Sequence, residues 1–423
     1  QIGNINLHIN NSTNAQYFGG VVGENTTNGT IENATNGGNV VADGVDYVGG
    51  IVGKNSGKLN GEVSNKGSVT GGNNVGGVAG FNEGSLASGS VITNEGNVKA
   101  TNGGAGGIFG ENTADGNNVT LINKGSVTGS KTDDAHGTGG VIGVNSGNFI
   151  HSSLINKVNA QVSGQNNVGG LIGFNKGNII GGRENTNNED AGKYINQIYN
   201  NGTIVGNSNV GGLFGQNSGK VVAGYNTGAI NATGANIGGI AGSNAGTLDQ
   251  VFNTVMTKDG QNQYIKGNKN VGGITGNNSG TISNAYNTTA VKGTNIVGNI
   301  VGVNTGNVTN VFDVVSTENN LVASNAGKGT VSKTFSLHEE GNIFKHTVVS
   351  ANNKNNKDTY APALSDENTW KYYDGFQTPL LKVFLTSAKY DGTVPDFTYN
   401  GKEQGLDANK VNANDGLSAY HNN

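Results

Sequence analysis

The stretch "SLHEEGNIFKH" (Ser336 to His346) brings together His338, Glu339, Glu340 and His346, residue types that bind metals or move protons. A zinc-protease helix needs His-Glu-x-x-His, so that two imidazoles meet one ion from one helix face. That spacing is absent, and the group reads as a solvated surface cluster. "GGAGGIFG" (Gly103 to Gly110) has the glycines of a phosphate loop but neither the following helix nor a Lys-Ser/Thr. Binding residues are the remaining candidates. "GGRENTNNEDAGKYINQIYNN" (Gly181 to Asn201) carries Arg183, Glu184, Lys193, Tyr194 and Tyr199, a set able to stack on and hydrogen-bond a sugar or a protein. "TKDGQNQYIKGNK" (Thr257 to Lys269) adds Lys258, Asp259, Tyr264 and Lys266. The competing reading makes both segments tolerated surface loops. The sequence implies no catalytic residue, no metal ligand set and no cofactor.

Those segments need a scaffold, and composition limits which one. At 423 residues the chain exceeds the roughly 250–300 residues at which one hydrophobic core stops growing. Gly 74 with Pro 3 and 33% hydrophobic residues leave material only for a narrow core, as in a solenoid. A net charge of −4 with 25 Lys+Arg and no basic run argues against a nucleic-acid partner. No apolar run approaches the length of a transmembrane segment. Cys 0 excludes disulfides and thiolate metal sites. Gln1 opens directly into "QIGNINLHIN", so the chain is expected to be an internal piece of a longer one.

A repeat supplies the scaffold. Gly-Gly-aliphatic-x-Gly-x-Asn occurs ten times, starting at Gly19, Gly49, Gly76, Gly106, Gly139, Gly169, Gly211, Gly238, Gly272 and Gly298, the last with Asn299 for the second glycine. The steps run from 26 to 42 residues. Asn25, Asn55, Asn82, Asn112, Asn145, Asn175, Asn217, Asn244, Asn278 and Asn304 close the motif without exception. Further apolar columns follow, such as Leu59, Leu86, Phe149 and Ile179, then Val69, Val98 and Val127. Three short extended runs per coil predict an all-β fold, a right-handed parallel β-helix with three sides and about ten coils. Like residues would stack about 4.8 Å apart. Glycine and asparagine would turn the corners in the left-handed region, with asparagine ladders between coils. Ile51 is expected inside, with Val48 and Val52 left open.

The same register tests for paired carboxylates, which glycoside cleavage needs roughly 5–9.5 Å apart. One outward column reads Ser56, Glu83, Thr113, Ser146 and Lys176; another reads Glu24, Lys54, Phe81, Glu111, Val144 and Phe174. No acid pair falls out in register, so the chain is not expected to be an enzyme. Asn-x-Ser/Thr sites, among them Asn25, Asn28, Asn33, Asn118 and Asn287, are candidate glycan acceptors.

Gly170-Leu171-Ile172-Gly173 and Gly212-Leu213-Phe214-Gly215 are literal Gly-Leu-any-Gly motifs. The array from Gly19 to Val311 resembles the GLUG repeats of filamentous-haemagglutinin-like bacterial adhesins, and those of some immunoglobulin-A-cleaving proteases. The resemblance implies secretion, often through an outer-membrane transporter partner of the two-partner-secretion type. It also implies adhesion to a host cell-surface glycan or protein, or to a biofilm matrix polysaccharide. Its alternatives are a lectin-like module using the 181–201 loop, and a non-catalytic part of an exported protease or carbohydrate-active enzyme.

The expected organisation is a solenoid at 1–330, a capping region at 331–386 and the start of a small β module at 387–423. Trp370, Tyr372, Tyr373, Phe376, Leu380, Leu381, Val383 and Phe384 form the densest apolar cluster and are expected to cover the open end of the rod.

Overall fold

In the computed structural model, Asn55 pairs in parallel with Asn25 of one coil and Asn82 of the next. Gly49 pairs with Gly19 and Gly76 by the same one-coil step. The structure describes residues 7–9, 16–130, 136–183, 195–255, 264–315, 319–325, 327, 329–337, 347–350, 352–373, 375, 377–385, 389–390 and 411–412. Their regular elements are strands, apart from one short helix (Lys357–Tyr360) and one 3-10 turn (Lys382–Phe384). Parallel pairing builds sheets of 20, 15 and 10 strands, and one of three. Val48–Gly49 and Val52–Asn55 lie in the first, Glu62–Asn65 in the second and Val69–Gly71 in the third. The chain is a nearly all-β, solenoid-like stack of parallel strands, the architecture of a parallel β-helix.

The interior is divided. Ile51, Val52, Leu59 and Val63 belong to one apolar column, whereas Val40, Val48, Val69 and Val75 belong to another. Ile51, Val48 and Val52 are therefore all buried, which answers the question that strand alternation left open. Gly50 and Asn65 meet between the two columns: a Cβ on Gly50 would lie 2.4 Å from Asn65 Oδ1. The second glycine of the motif thus makes room for an amide at the waist of each coil.

Those amides form continuous chains. Each motif asparagine donates Nδ2–H to Oδ1 of the next, from Asn25 to Asn325, at 2.7–3.0 Å. Asn325 is an additional member beyond the ten repeats. A second ladder runs Asn36, Asn65, Asn94, Asn123, Asn156, Asn200, Asn226, Asn253 and Asn287 at 2.7–2.9 Å. The other N–H commonly donates to the carbonyl two residues on, as Asn65 does to Gly67 and Asn145 to Gly147. A buried amide without partners costs about 1–3 kcal/mol, so each rung depends on the coils above and below.

Two expectations about corners need correction. The ladder asparagines end their strands and do not adopt positive φ; other asparagines do, including Asn33, Asn74, Asn118, Asn209 and Asn284. The motif glycines are not left-handed either. They are small because the next coil is too close: a Cβ on Gly107 would lie 2.0 Å from the Gly140 oxygen. Gly116 shows the opposite use of space, standing in an apolar column where the Phe149 ring of the next coil fills the gap.

Downstream of Lys220 two short strands fuse into seven-residue ones, such as Thr247–Asn253 and Thr281–Asn287. One left-handed residue, Gln250 or Asn284, keeps the bend within each. The last motif swaps its waist pair: Asp313 takes the ladder position after Asn287, and Asn299 replaces glycine and donates to Asp313 Oδ1 at 3.2 Å.

Replacing Asn145 with Ala strands the Asn112 donor and the Asn175 acceptor, and is expected to cost about 2–4 kcal/mol in a denaturant titration. Ile296 is a β-branched residue at φ 56, and Asn270 Oδ1 above it has no partner among the described residues. Ile296→Asn extends the Asn167–Asn209–Asn236–Asn270 ladder and should stabilise the protein by about 1–2 kcal/mol.

Candidate functional site at the enlarged coil

The 42-residue step leaves the ladder intact, since Asn175 still reaches Asn217 at 2.9 Å. The insertion leaves the rod through a two-stranded antiparallel ribbon, in which Gly182 pairs with Asn196 and Arg183 with Ile195. Glu184, Lys193 and Tyr194 lie outside the described residues. Tyr199 is placed, and it is not offered to solvent. It is 7% exposed, and Lys157 Nζ donates to its phenol oxygen at 2.9 Å. Arg183 is described by its backbone pairing alone, so Tyr199 is the one candidate whose side chain is placed among the described residues. In the smaller insertion, Tyr264 packs under Lys292 Nζ, 3.4 Å from the ring centroid. Lys258 and Asp259 are outside the described residues, as are His338, Glu339, Glu340 and His346.

Tyr199 begins a column that sequence reasoning missed. Register on the outward side of the 15-stranded sheet aligns Ser64, Thr93, Ile122, Ile155, Tyr199, Tyr225, Phe252, Tyr286, Phe312 and Phe335. From Tyr199 to Phe312 the rings stack at 4.9–5.2 Å with planes within 14°. Its signal was an aromatic immediately before the later second-ladder residues: Tyr199-Asn200, Tyr225-Asn226, Phe252-Asn253, Tyr286-Asn287, Phe312-Asp313.

The C-terminal aromatic cluster makes its contacts along this flank. Tyr360 and Trp370 lie against Phe312, and Tyr360 also meets Phe335. Phe384 stands edge-on to Tyr225 and Phe252, at 5.5 and 5.0 Å. The chain therefore runs back toward earlier coils as a lateral strap. Phe376 is outside the described residues. Near its end, Val383 fills the space where a Cβ on Gly182 would stand, so the strap touches the base of the insertion. Burial pushes the Tyr225, Tyr286 and Tyr360 phenols far above the ordinary range. Burial, followed by the Glu367 carboxylate, pushes Tyr372 up to about 12.

Elsewhere on the surface the charges cross-link coils. Lys54 lies 3.2 Å from Glu83 and 4.0 Å from Glu24. The Ser56 hydroxyl and then Lys54 hold Glu83 below the usual carboxylate range. Among the described residues no three His, Cys, Asp or Glu side chains converge to hold a metal, and no helix is long and apolar enough to cross a membrane. Asn25 and Asn287 are buried ladder members, so glycosylation there would require opening the fold. No family model, curated protein or solved structure matches the chain.

The raised phenols stabilise the fold fully below the ordinary tyrosine value near 10, and that contribution is lost as pH rises through the folded-state values. An alkaline absorbance titration should show an early phase for exposed tyrosines and a late, abrupt phase as the stack opens. Phe384→Ala should move the late phase to lower pH; a single phase near pH 10 would contradict the buried stack.

Proposed function

We propose that this chain is the shaft segment of a secreted bacterial surface adhesin, a right-handed, three-sided β-solenoid that presents weak binding surfaces in repeated array. The single observation that carries the reading is one-coil register held by side-chain amide ladders. Such a body is stiff along its axis and repeats its outer surface from coil to coil. Weak contacts on it multiply when many copies are displayed together. The GLUG-like motifs at Gly170–Gly173 and Gly212–Gly215 support the same reading, with export through an outer-membrane transporter partner. The proposed ligands are a host cell-surface glycan or protein, or a biofilm matrix polysaccharide. The burial of Tyr199 weighs against a lectin-like site on the 181–201 loop, because it removes one of that loop's two aromatic candidates.

The test compares the chain free in solution with the same chain coupled densely to beads, on cultured host cells and on biofilm matrix. The beads should attach with an apparent affinity roughly 10²–10⁴-fold above that of the free chain. Beads that attach to neither surface would overturn the adhesive role.

A further inference from the structure

The outward face of the first coils differs from the rest of the 20-stranded sheet. Glu24, Lys54, Phe81 and Glu111 follow one another in register. Beside them runs the position just before each Val-Gly strand, which holds Tyr17, Tyr47 and Asn74 and, further on, Asn167, Asn209, Asn236 and Asn270. Tyr17, Tyr47 and Phe81 form a half-buried run of rings, with centroids 5.7 and 5.9 Å apart.

Two features of this face lower stability. Tyr47 holds φ 55, a conformation that asparagine at the same position adopts readily and a bulky residue does not. The fold alone favours asparagine there, and tyrosine gains nothing from the amide ladder. Glu111 is half-buried and bears a single hydrogen bond, from Asn74 Nδ2 to Oε2 at 3.1 Å; Oε1 has none from the described residues. Burial raises its pKa, with Lys176 and His136 opposing. Tyr47 lies next to both: burial and then Glu111 push its phenol up, and the Asn74 amide opposes them. Strain and an under-bonded carboxylate at one place are marks of a binding site.

The groups present define the ligand. A carboxylate, an amide and a phenol side by side match the hydroxyls of a sugar, and the adjacent rings offer an apolar face to its C–H groups. Glu24, Asp46, Glu83 and Glu111 outnumber the nearby cations Lys54 and Lys176, so an acidic chain is repelled. We propose that this face binds an uncharged glycan chain, with Glu111, Asn74 and Tyr47 holding its hydroxyls and Tyr17, Tyr47 and Phe81 carrying its rings. This rests on the reading that the rod itself presents binding surfaces, and assigns one of them.

The experiment titrates the full chain calorimetrically with cellohexaose, laminarihexaose and chitohexaose, and with polygalacturonate as the acidic arm. At least one neutral oligomer should bind and polygalacturonate should not. Glu111→Gln should weaken binding at least about tenfold. Tyr47→Asn should abolish binding while leaving the thermal midpoint unchanged or raised, which separates loss of the site from loss of the fold. Equal binding by both variants, silence from all three neutral oligomers, or preference for polygalacturonate would each overturn the proposal. Beads carrying the Tyr47→Asn chain distinguish the two readings. If they attach as well as the unaltered chain, this site falls and the adhesive role stands; failure of the unaltered beads removes the adhesive role whatever the oligomers do.

Discussion

A buried primary amide has two donors and one strong acceptor to satisfy, and Asn55, Asn112 and Asn217 are fully buried from solvent. An identical amide one strand spacing away satisfies it on either side, and a carbonyl of its own turn takes the remaining proton. This constraint organises the molecule. It fixes the register, because a slip of one residue would put apolar and amide side chains in each other's places. It requires glycine where the neighbouring coil's backbone comes within 2 Å of a Cβ. It also decides where insertions are permitted: steps of 42 and 34 residues leave the Asn175–Asn217 and Asn244–Asn278 bonds at 2.9 and 2.8 Å. Aspartate stacked in the same way would repel itself, and the one ladder position that carries it, Asp313, comes with Asn299 as a new donor.

Much of this was legible because the repeat writes the same residue types into the same places. The ten motif asparagines, the inward Ile51, Val78 and Ile108 and the β class all follow from periodicity. The second ladder at Asn36 to Asn287 and the split core were harder to read. Alternation alone cannot say that both Val48 and Val52 face apolar columns when a Gly-Gly step lies between them. The role of glycine was misread for a related reason: sequence carries its small size, but not whether a turn or a neighbouring backbone demands it. The flanking aromatics were hidden by spacing, since Tyr199, Tyr225, Phe252, Tyr286 and Phe312 align only once the unequal coil lengths are laid in register.

That aromatic flank changes what the C-terminal segment does. Edge-on contacts from Phe384 and the cover of Tyr360 and Trp370 over Phe312 close an apolar stripe that would otherwise be a sticky side of the rod. Tyr199, a binding candidate by type, is part of this packing. The strongest surface chemistry lies instead near the first coils, where Tyr47 and Glu111 both depart from what stability favours. A rod whose interior fixes its register can hold such departures locally, since each coil answers only to its neighbours.

Hydrogen exchange at the asparagine side chains is the most direct test of that picture. In protein labelled with nitrogen-15 only at asparagine, the Nδ2 protons of the two ladders should exchange on the timescale of global opening. Those of exposed asparagines such as Asn28 should exchange within the dead time. Uniformly fast exchange across all the asparagine amides would mean that the ladders do not exist in solution, and the account built on them would fail.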